Sequence, residues 1–138
     1  MPISFRIDHS RKRLHTRAEG VVTFAEMRAH VNTELTAEEA TYDELIDCST
    51  ATTNVTGAEI RQLVAERKKV EERQHRPGPV AVVATNDLFY GMLRMYDALT
   101  ERIRPIRVFR RVREAERWLD SAPWLTISTQ EDQPPEMP

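Results

Sequence analysis

The sequence predicts an α/β domain with a mixed sheet of about five strands and about four helices, in the order ββαβαβαβα. Short apolar segments alternate with longer segments of helical periodicity along the chain. Two Thr-x-x-Glu sequences, which begin at Thr23 and Thr56, match the capping box that begins many helices. The run from Val80 to Ala84 is apolar throughout, which indicates a central strand covered on both faces.

Composition limits the function classes that this chain can belong to. Its 138 residues contain 20 Lys and Arg and 22 Asp and Glu, which suits one domain with a near-neutral surface rather than a nucleic-acid binder. No segment approaches the roughly 18 apolar residues of a membrane span, and the first residues lack a signal-peptide pattern. We therefore expect a cytoplasmic protein with no membrane span and no nucleic-acid partner.

The first part of the chain predicts a hairpin followed by a helix. Residues 3–7 alternate apolar and polar side chains, and residues 14–22 offer a second strand after a polar turn at 8–13. The helix capped by Thr23 would carry an apolar stripe of Phe24, Met27, Val31 and Leu35.

The middle of the chain predicts a strand, a polar loop and a long helix. The strand covers about 43–48, and the loop continues to Thr56. The helix after Thr56 places Ile60, Leu63, Val64 and Val70 on one face. Arg67 shares that face, where its methylene stem would cover apolar neighbours. The Arg-Pro-Gly-Pro sequence at 76–79 ends the helix.

The last part predicts strands at 80–84 and 106–109 and a final helix at 113–120. The helix between these strands has an apolar stripe of Leu88, Phe89, Met92, Met95, Tyr96, Leu99 and Ile103. We expect residues 1–122 to form the domain and the Pro-rich segment 123–138 to be a disordered tail.

The sequence offers little sign of catalysis. Its four glycines lie too far apart for a phosphate-binding loop, and its four histidines lack metal-ligand spacing, so we expect no cofactor and no metal. An enzyme would have to use Cys48 or Asp47 with Asp87 at the strand ends. No local signature supports that arrangement, and we expect no enzymatic activity. Seven late arginines form either a basic groove for an anionic partner or a solvated face, and we favour the solvated face: Arg102, Arg104, Arg107, Arg110, Arg111, Arg113 and Arg117.

Residues 47–57 form the most unusual segment, because six of these eleven residues are Ser, Thr or Asn. Thr56 has two interpretations: its hydroxyl caps the following helix, or it accepts a phosphate near the positive end of the helix dipole. The remaining residues of this candidate interaction loop are Asp47, Cys48, Ser49, Thr50, Thr52, Thr53, Asn54 and Gly57.

The apolar stripe of the third predicted helix also has two interpretations. It is core, or part of it lines an adaptable pocket, because methionine side chains fit irregular spaces. The candidate pocket residues are Phe89, Met92, Met95 and Tyr96.

Several motifs together resemble the STAS domain, and more closely the divergent stand-alone STAS-like (SpoIIAA-like) proteins of bacteria. They are the hydroxyl-rich segment, the strand 80–84 followed by Thr85-Asn86-Asp87, the sequence Val108-Phe109-Arg110, and the final segment 114–119. The resemblance covers about residues 3–120. It implies the fold of anti-sigma-factor antagonists, whose Asp-Ser-Ser-Gly motif corresponds here to Asn54-Val55-Thr56-Gly57.

This resemblance places Thr56 at the phosphoacceptor position, although Asn54 replaces the aspartate and Val55 the first serine. It implies a non-catalytic regulatory or protein-interaction module, with an anti-sigma factor or a kinase as the partner. The alternative is a protein that binds a small apolar, lipid-like ligand on the same fold. A homodimer is a further expectation, because an open sheet leaves edge strands.

Overall fold

A computed structural model of the chain describes residues 3–74, 78–100 and 103–121. The five strands are β1 (Ile3–Asp8), β2 (Arg13–Val22), β3 (Asp43–Thr53), β4 (Val80–Ala84) and β5 (Ile106–Phe109). The helices are α1 (Phe24–Val31), α2 (Gly57–Gln74), α3 (Asp87–Thr100) and α4 (Val112–Ser121), with a short 3-10 helix at Glu39–Thr41. The predicted fold class and element order are confirmed.

The strands form one mixed sheet in the spatial order β1-β2-β3-β4-β5. β1 and β2 are an antiparallel hairpin whose register runs from Ile3 opposite Ala18 to Asp8 opposite Arg13. All the other neighbours are parallel, and each parallel connection contains a helix. β4 pairs on both edges, and α3 and α4 cover its two faces, which explains its unbroken apolar sequence.

The predicted polar loop after Cys48 was wrong in extent, because β3 continues to Thr53. β2 is ten residues long, and its end pairs with this segment from Glu19 opposite Thr50 to Val22 opposite Thr53. A register shift leaves Cys48 and Ser49 together opposite Ala18, as in a β-bulge. The β-branched threonines here favour extended backbone, so hydroxyl content alone was a poor sign of a loop.

The helices cover the two faces of the sheet unequally. α4 packs against β3, β4 and β5 on one face, where Ala115 and Leu119 contact Leu45 and its neighbours. The other three helices lie on the opposite face. There, α3 lies directly on β3, β4 and β5, whereas α1 packs mainly on α2, and α2 on α3. On this face, β2 is therefore less tightly covered by helices than the strands on which α3 lies.

The helix boundaries follow the capping chemistry of the sequence. Thr23 forms the predicted capping box: its Oγ1 accepts from the Glu26 backbone N at 3.2 Å, and Glu26 Oε1 accepts from the Thr23 backbone N at 2.9 Å. The helix that follows ends at Val31, with Asn32 as its C-cap, so the predicted stripe was one turn too long at Leu35. The final helix agrees with its prediction within one residue at each end.

The predicted tail, 123–138, lies outside the described residues, as does the end of the predicted domain at 122. Within the described ranges, no helix has the length and apolar character required to cross a bilayer.

Gly78 and Gly91 give a matched test of this fold. A Cβ at Gly78 would lie 2.3 Å from the Tyr42 carbonyl oxygen, whereas a Cβ at Gly91 meets nothing within 4 Å. We expect Gly78→Ala to lower the free energy of unfolding by roughly 2 kcal/mol or more, because backbone must move. Gly91→Ala should raise it by up to about 1 kcal/mol, because alanine favours the helix.

Urea unfolding followed by circular dichroism measures both changes. Equal stabilities of the Gly78→Ala protein and the unsubstituted protein would contradict the close approach of the segments that lead into β3 and β4.

Candidate functional site

A cavity of about 100 Å³ lies between the sheet and the three helices α1, α2 and α3. Its floor contains Ala18, Ile46, Cys48 and Val82 from three neighbouring strands. Its roof contains Met27, Ile60, Leu63, Met92 and Leu93 from α1, α2 and α3. An engineered cavity of roughly 150 Å³ binds benzene, so this space suits a small molecule.

The cavity exists because α1 and α2 pack on other helices more than on strands. Ile46 shows the effect: it faces the helices from the middle strand of the sheet, yet it is only half-buried. The residues opposite Ile46 on the roof include two methionines, Met27 and Met92, whose side chains adapt to irregular shapes.

A buried carboxylate organises the polar end of this region. Glu44, on β3, has no exposed surface. Its Oε2 accepts from Thr16 Oγ1 at 2.8 Å and lies 2.8 Å from His30 Nε2. Arg104 Nη1 lies 3.8 Å from the other carboxylate oxygen, and Arg104 Nε donates to the Gly78 carbonyl. The charge of Glu44 is therefore compensated by groups from β2, α1 and the segment before β5.

Arg67 is a second buried cation, and it reaches the cavity from α2. Its Nε donates to Tyr96 Oη at 3.2 Å, and its Nη1 lies 4.0 Å from Glu71 Oε1. Burial alone would lower the pKa of the guanidinium, but the Tyr96 hydroxyl and the carboxylates of Glu44 and Glu71 together raise that pKa above its ordinary value. Arg67 therefore stays charged inside the protein.

Sequence reasoning missed this polar cluster. The solvated-face interpretation was wrong for Arg104, which is 3% exposed, and the guanidinium of Arg67 is buried together with its stem. A usable signal did exist on β3, where Glu44 alternates with Ile46 and Cys48 and so shares their inward face. A charged residue at such a position indicates a buried, compensated group.

Three of the four predicted pocket residues, Phe89, Met92 and Tyr96, line the cavity. The fourth, Met95, is not among the residues that line it. It lies against the start of α2, where its Cε is 3.7 Å from the position of a Cβ on Gly57. Met92 and Met95 both pack against the apolar cluster that contains Ile60 and Leu63, but only Met92 of the two lines the cavity.

The residues of the predicted interaction loop separate into buried and exposed groups. Cys48 and Thr53 are buried, and Thr53 Oγ1 donates to the Val22 carbonyl at 2.7 Å. Asp47 and Ser49 are half-buried, and the Ser49 backbone N donates to Asp47 at 2.9 Å. The exposed members are Thr50, Thr52, Asn54 and Thr56, and Gly57 is half-buried. Only the exposed members could contact a partner without a change in structure.

Thr56 is the N-cap of α2, and the predicted capping box is confirmed. Its Oγ1 accepts from the Glu59 backbone N at 3.2 Å, and Glu59 Oε1 accepts from the Thr56 backbone N at 2.9 Å. The hydroxyl is thus engaged in capping and also exposed to solvent.

The residues considered for catalysis differ in burial and in their partners. Burial, with smaller effects of Asp47 and Glu44, raises the pKa of the Cys48 thiol to about 12. Asp87 is exposed and pairs with Arg110 at 2.8 Å. In the described parts of the chain, no three His, Cys, Asp or Glu side chains are close enough together to hold a metal ion.

The raised pKa makes Cys48 a test of burial. At pH 8, about one thiol in ten thousand is ionised when its pKa is about 12. We expect Ellman's reagent to react with the folded protein about 1,000-fold more slowly than with the urea-unfolded protein, because the thiolate is the reactive form and roughly one unfolded thiol in ten is ionised at this pH.

A matched control is Thr50→Cys in a Cys48→Ala background, which moves the chain's one thiol to an exposed position of the same strand. That protein should react rapidly when folded. Rapid, stoichiometric labelling of native Cys48 would contradict the buried position of its side chain.

Comparison with known proteins bears on the fold. No family model matches this chain, and no curated protein matches it. A crystal structure from Shewanella loihica PV-4, described as an uncharacterised DUF3478-family protein with a SpoIIAA-like fold, is similar, with a TM-score of 0.51. The two sequences are 18% identical over an alignment that covers 85% of this chain and 93% of that chain. The chain therefore has the SpoIIAA-like fold that its STAS resemblance predicts.

Proposed function

We propose that this chain is a non-catalytic binding module whose ligand is a small, largely apolar molecule held in the cavity between the sheet and helices α1–α3. The observation that carries the proposal is the cavity itself, a space of about 100 Å³ between the sheet and helices α1–α3. Protein interiors are normally packed to the density of organic crystals, and a void in the core lowers stability unless something fills it.

The chemistry of the walls supports an apolar ligand. Aliphatic and aromatic side chains, among them Ile46, Val82 and Phe89, form most of the lining. Burial of apolar ligand surface contributes about 25 cal/mol per Å². Met27 and Met92 would adjust the roof to the shape of the ligand.

The same region gives little support to an enzyme. Cys48 stays a neutral thiol at physiological pH, because its pKa is about 12. Glu44 is already bound by Thr16, His30 and Arg104, so its carboxylate is poorly placed to act as a general base. These features favour binding over catalysis.

A second candidate function is a regulatory module that docks a protein partner and is switched at Thr56. The observation that favours it is the exposed hydroxyl of Thr56 at the first turn of α2. A phosphate there would meet the positive end of the helix dipole and add a charge of about −2 to the surface. By analogy with anti-sigma-factor antagonists, the partner would be an anti-sigma factor or a kinase.

Fluorobenzene, which is close to the cavity in size, tests the binding function. We expect saturable binding in a titration followed by fluorine NMR. Ile46→Phe should weaken this binding at least about fivefold, because the larger side chain occupies the cavity.

Leu88→Phe is the matched control, because Leu88 is 56% exposed and does not line the cavity. Its affinity should equal that of the unsubstituted protein. The binding function fails if fluorobenzene does not saturate a site and native mass spectrometry of the purified protein detects no bound ligand.

The regulatory function predicts phosphate on Thr56 after incubation of the protein with ATP and a bacterial lysate, as read by peptide mass spectrometry. Thr56→Ala should remove the modification and lower the free energy of unfolding by about 1 kcal/mol, through loss of the cap. Thr52→Ala is the control, because Thr52 is equally a surface threonine and caps no helix. Phosphate at Thr52 or elsewhere, with none at Thr56, would argue against the switch.

A further inference from the structure

The cavity contains a cationic group whose hydrogen-bonding capacity is incompletely used. Arg67 is 6% exposed and extends from α2 to the cavity wall. Its Nε is bound to Tyr96 Oη. Its Nη1 is buried and has no hydrogen-bond partner among the residues that the structure describes.

The acidic residues near Arg67 do not supply that partner. Glu71 Oε1 lies 4.0 Å from Nη1, which is beyond hydrogen-bond distance. Glu44 is engaged by Thr16, His30 and Arg104. Buried donors in proteins are almost always satisfied, and a cationic donor in particular requires an acceptor. A ligand is one source of that acceptor.

The sign of the charge around the cavity indicates the kind of acceptor. Within the described residues, the lining contains the side chains of Arg67, Arg104 and His30 and no Asp or Glu. The nearest fully buried carboxylate, Glu44, is bonded to Thr16 and His30, which are themselves lining residues. A negatively charged ligand group would therefore meet cationic and neutral donors at the cavity wall.

We propose that the cavity binds a small amphipathic monocarboxylate, whose carboxylate accepts a hydrogen bond from Arg67 Nη1 and whose alkyl chain lies against Ile46, Val82 and Phe89. The inference rests on the binding function proposed above and names its ligand class. A guanidinium–carboxylate hydrogen bond is roughly twice as strong as a neutral one, which favours the acid over the matching alcohol.

The size of the cavity limits the chain length of the acid. A space of roughly 150 Å³ accepts the six carbons of benzene, so a cavity of about 100 Å³ suits an alkyl chain of about four to five carbons beyond the carboxylate. Hexanoate is therefore the natural probe, with hexanol and hexylammonium as analogues of equal chain length.

The experiment measures binding of the three probes by isothermal titration calorimetry near neutral pH. The full-length protein should bind hexanoate about tenfold more tightly than hexanol, because only the acid forms the charge-assisted bond. Hexylammonium should bind most weakly, because it meets the cations of the lining. Arg67→Met should bring the affinities for hexanoate and hexanol to within about twofold of each other.

Arg61→Met is the matched control, because Arg61 lies exposed on the same helix and does not line the cavity. It should retain the tenfold preference for hexanoate. Arg67→Lys keeps the charge without the planar guanidinium and should keep part of the preference. If Arg67→Met does not fold, the assignment of a carboxylate is tested by two other measurements. These are the order of affinities of the three probes for the unsubstituted protein and the preference for hexanoate in Arg67→Lys.

The two proposals fail in different ways. Equal affinities for hexanoate and hexanol, or the highest affinity for hexylammonium, would overturn the assignment of a carboxylate. Fluorobenzene binding would still support the cavity as a ligand site in that case. An unchanged preference for hexanoate in a folded Arg67→Met protein also overturns the assignment. If neither fluorobenzene nor any six-carbon probe binds, the binding function itself is wrong.

Discussion

The side of the sheet that α1, α2 and α3 cover depends on the contacts of one buried carboxylate, that of Glu44. It joins β2 through Thr16, α1 through His30, and the segment before β5 through Arg104. Because α1 packs on α2 more than on the sheet, the His30–Glu44 contact is a polar link from that helix to a strand. Removal of one partner from such a network leaves a buried charge uncompensated, which typically costs several kcal/mol. The network therefore ties α1 to the sheet beside the cavity.

The two candidate functions meet on α2. Thr56 begins this helix, and Arg67 lies eleven residues further along it, about 16 Å at 1.5 Å per residue. A ligand on Arg67 and a phosphate on Thr56 would each act on the same rigid element. If either event shifted α2, linkage requires that each would alter the equilibrium of the other by the same factor. Ligand binding and regulation are thus compatible activities of one helix.

The sequence predicted those parts of the structure that depend on local patterns. The apolar run of β4, the stripes of α2 and α3, and both capping boxes follow from spacing within a few residues, and each is present. The end of β3 was missed because threonine favours both turns and strands, and only pairing with the long β2 decides between them.

The candidate site was harder to predict because its members are distant in sequence. Thr16 and Glu44 are separated by 28 positions, and Arg67 and Tyr96 by 29. A charged side chain is placed on the surface by default, and only a partner from another element reverses that expectation. Phe89, Met92 and Tyr96 were found because the helical period alone places them on an inward face, whereas Met95 shares the stripe and contacts the start of α2 instead.

The core of this domain departs from what stability alone would favour. Well-packed apolar side chains are often as stabilising as a buried ion pair of the same volume, or more so, and a filled core is more stable than one with a void. This domain keeps Glu44, Arg67 and Arg104 inside and leaves a cavity beside two of them. Departures from local consistency of this kind are expected at functional sites, where part of the stability is given up for binding. Because the charged groups and the void lie on the same side of the sheet, one occupant with an apolar body and a polar end would satisfy both.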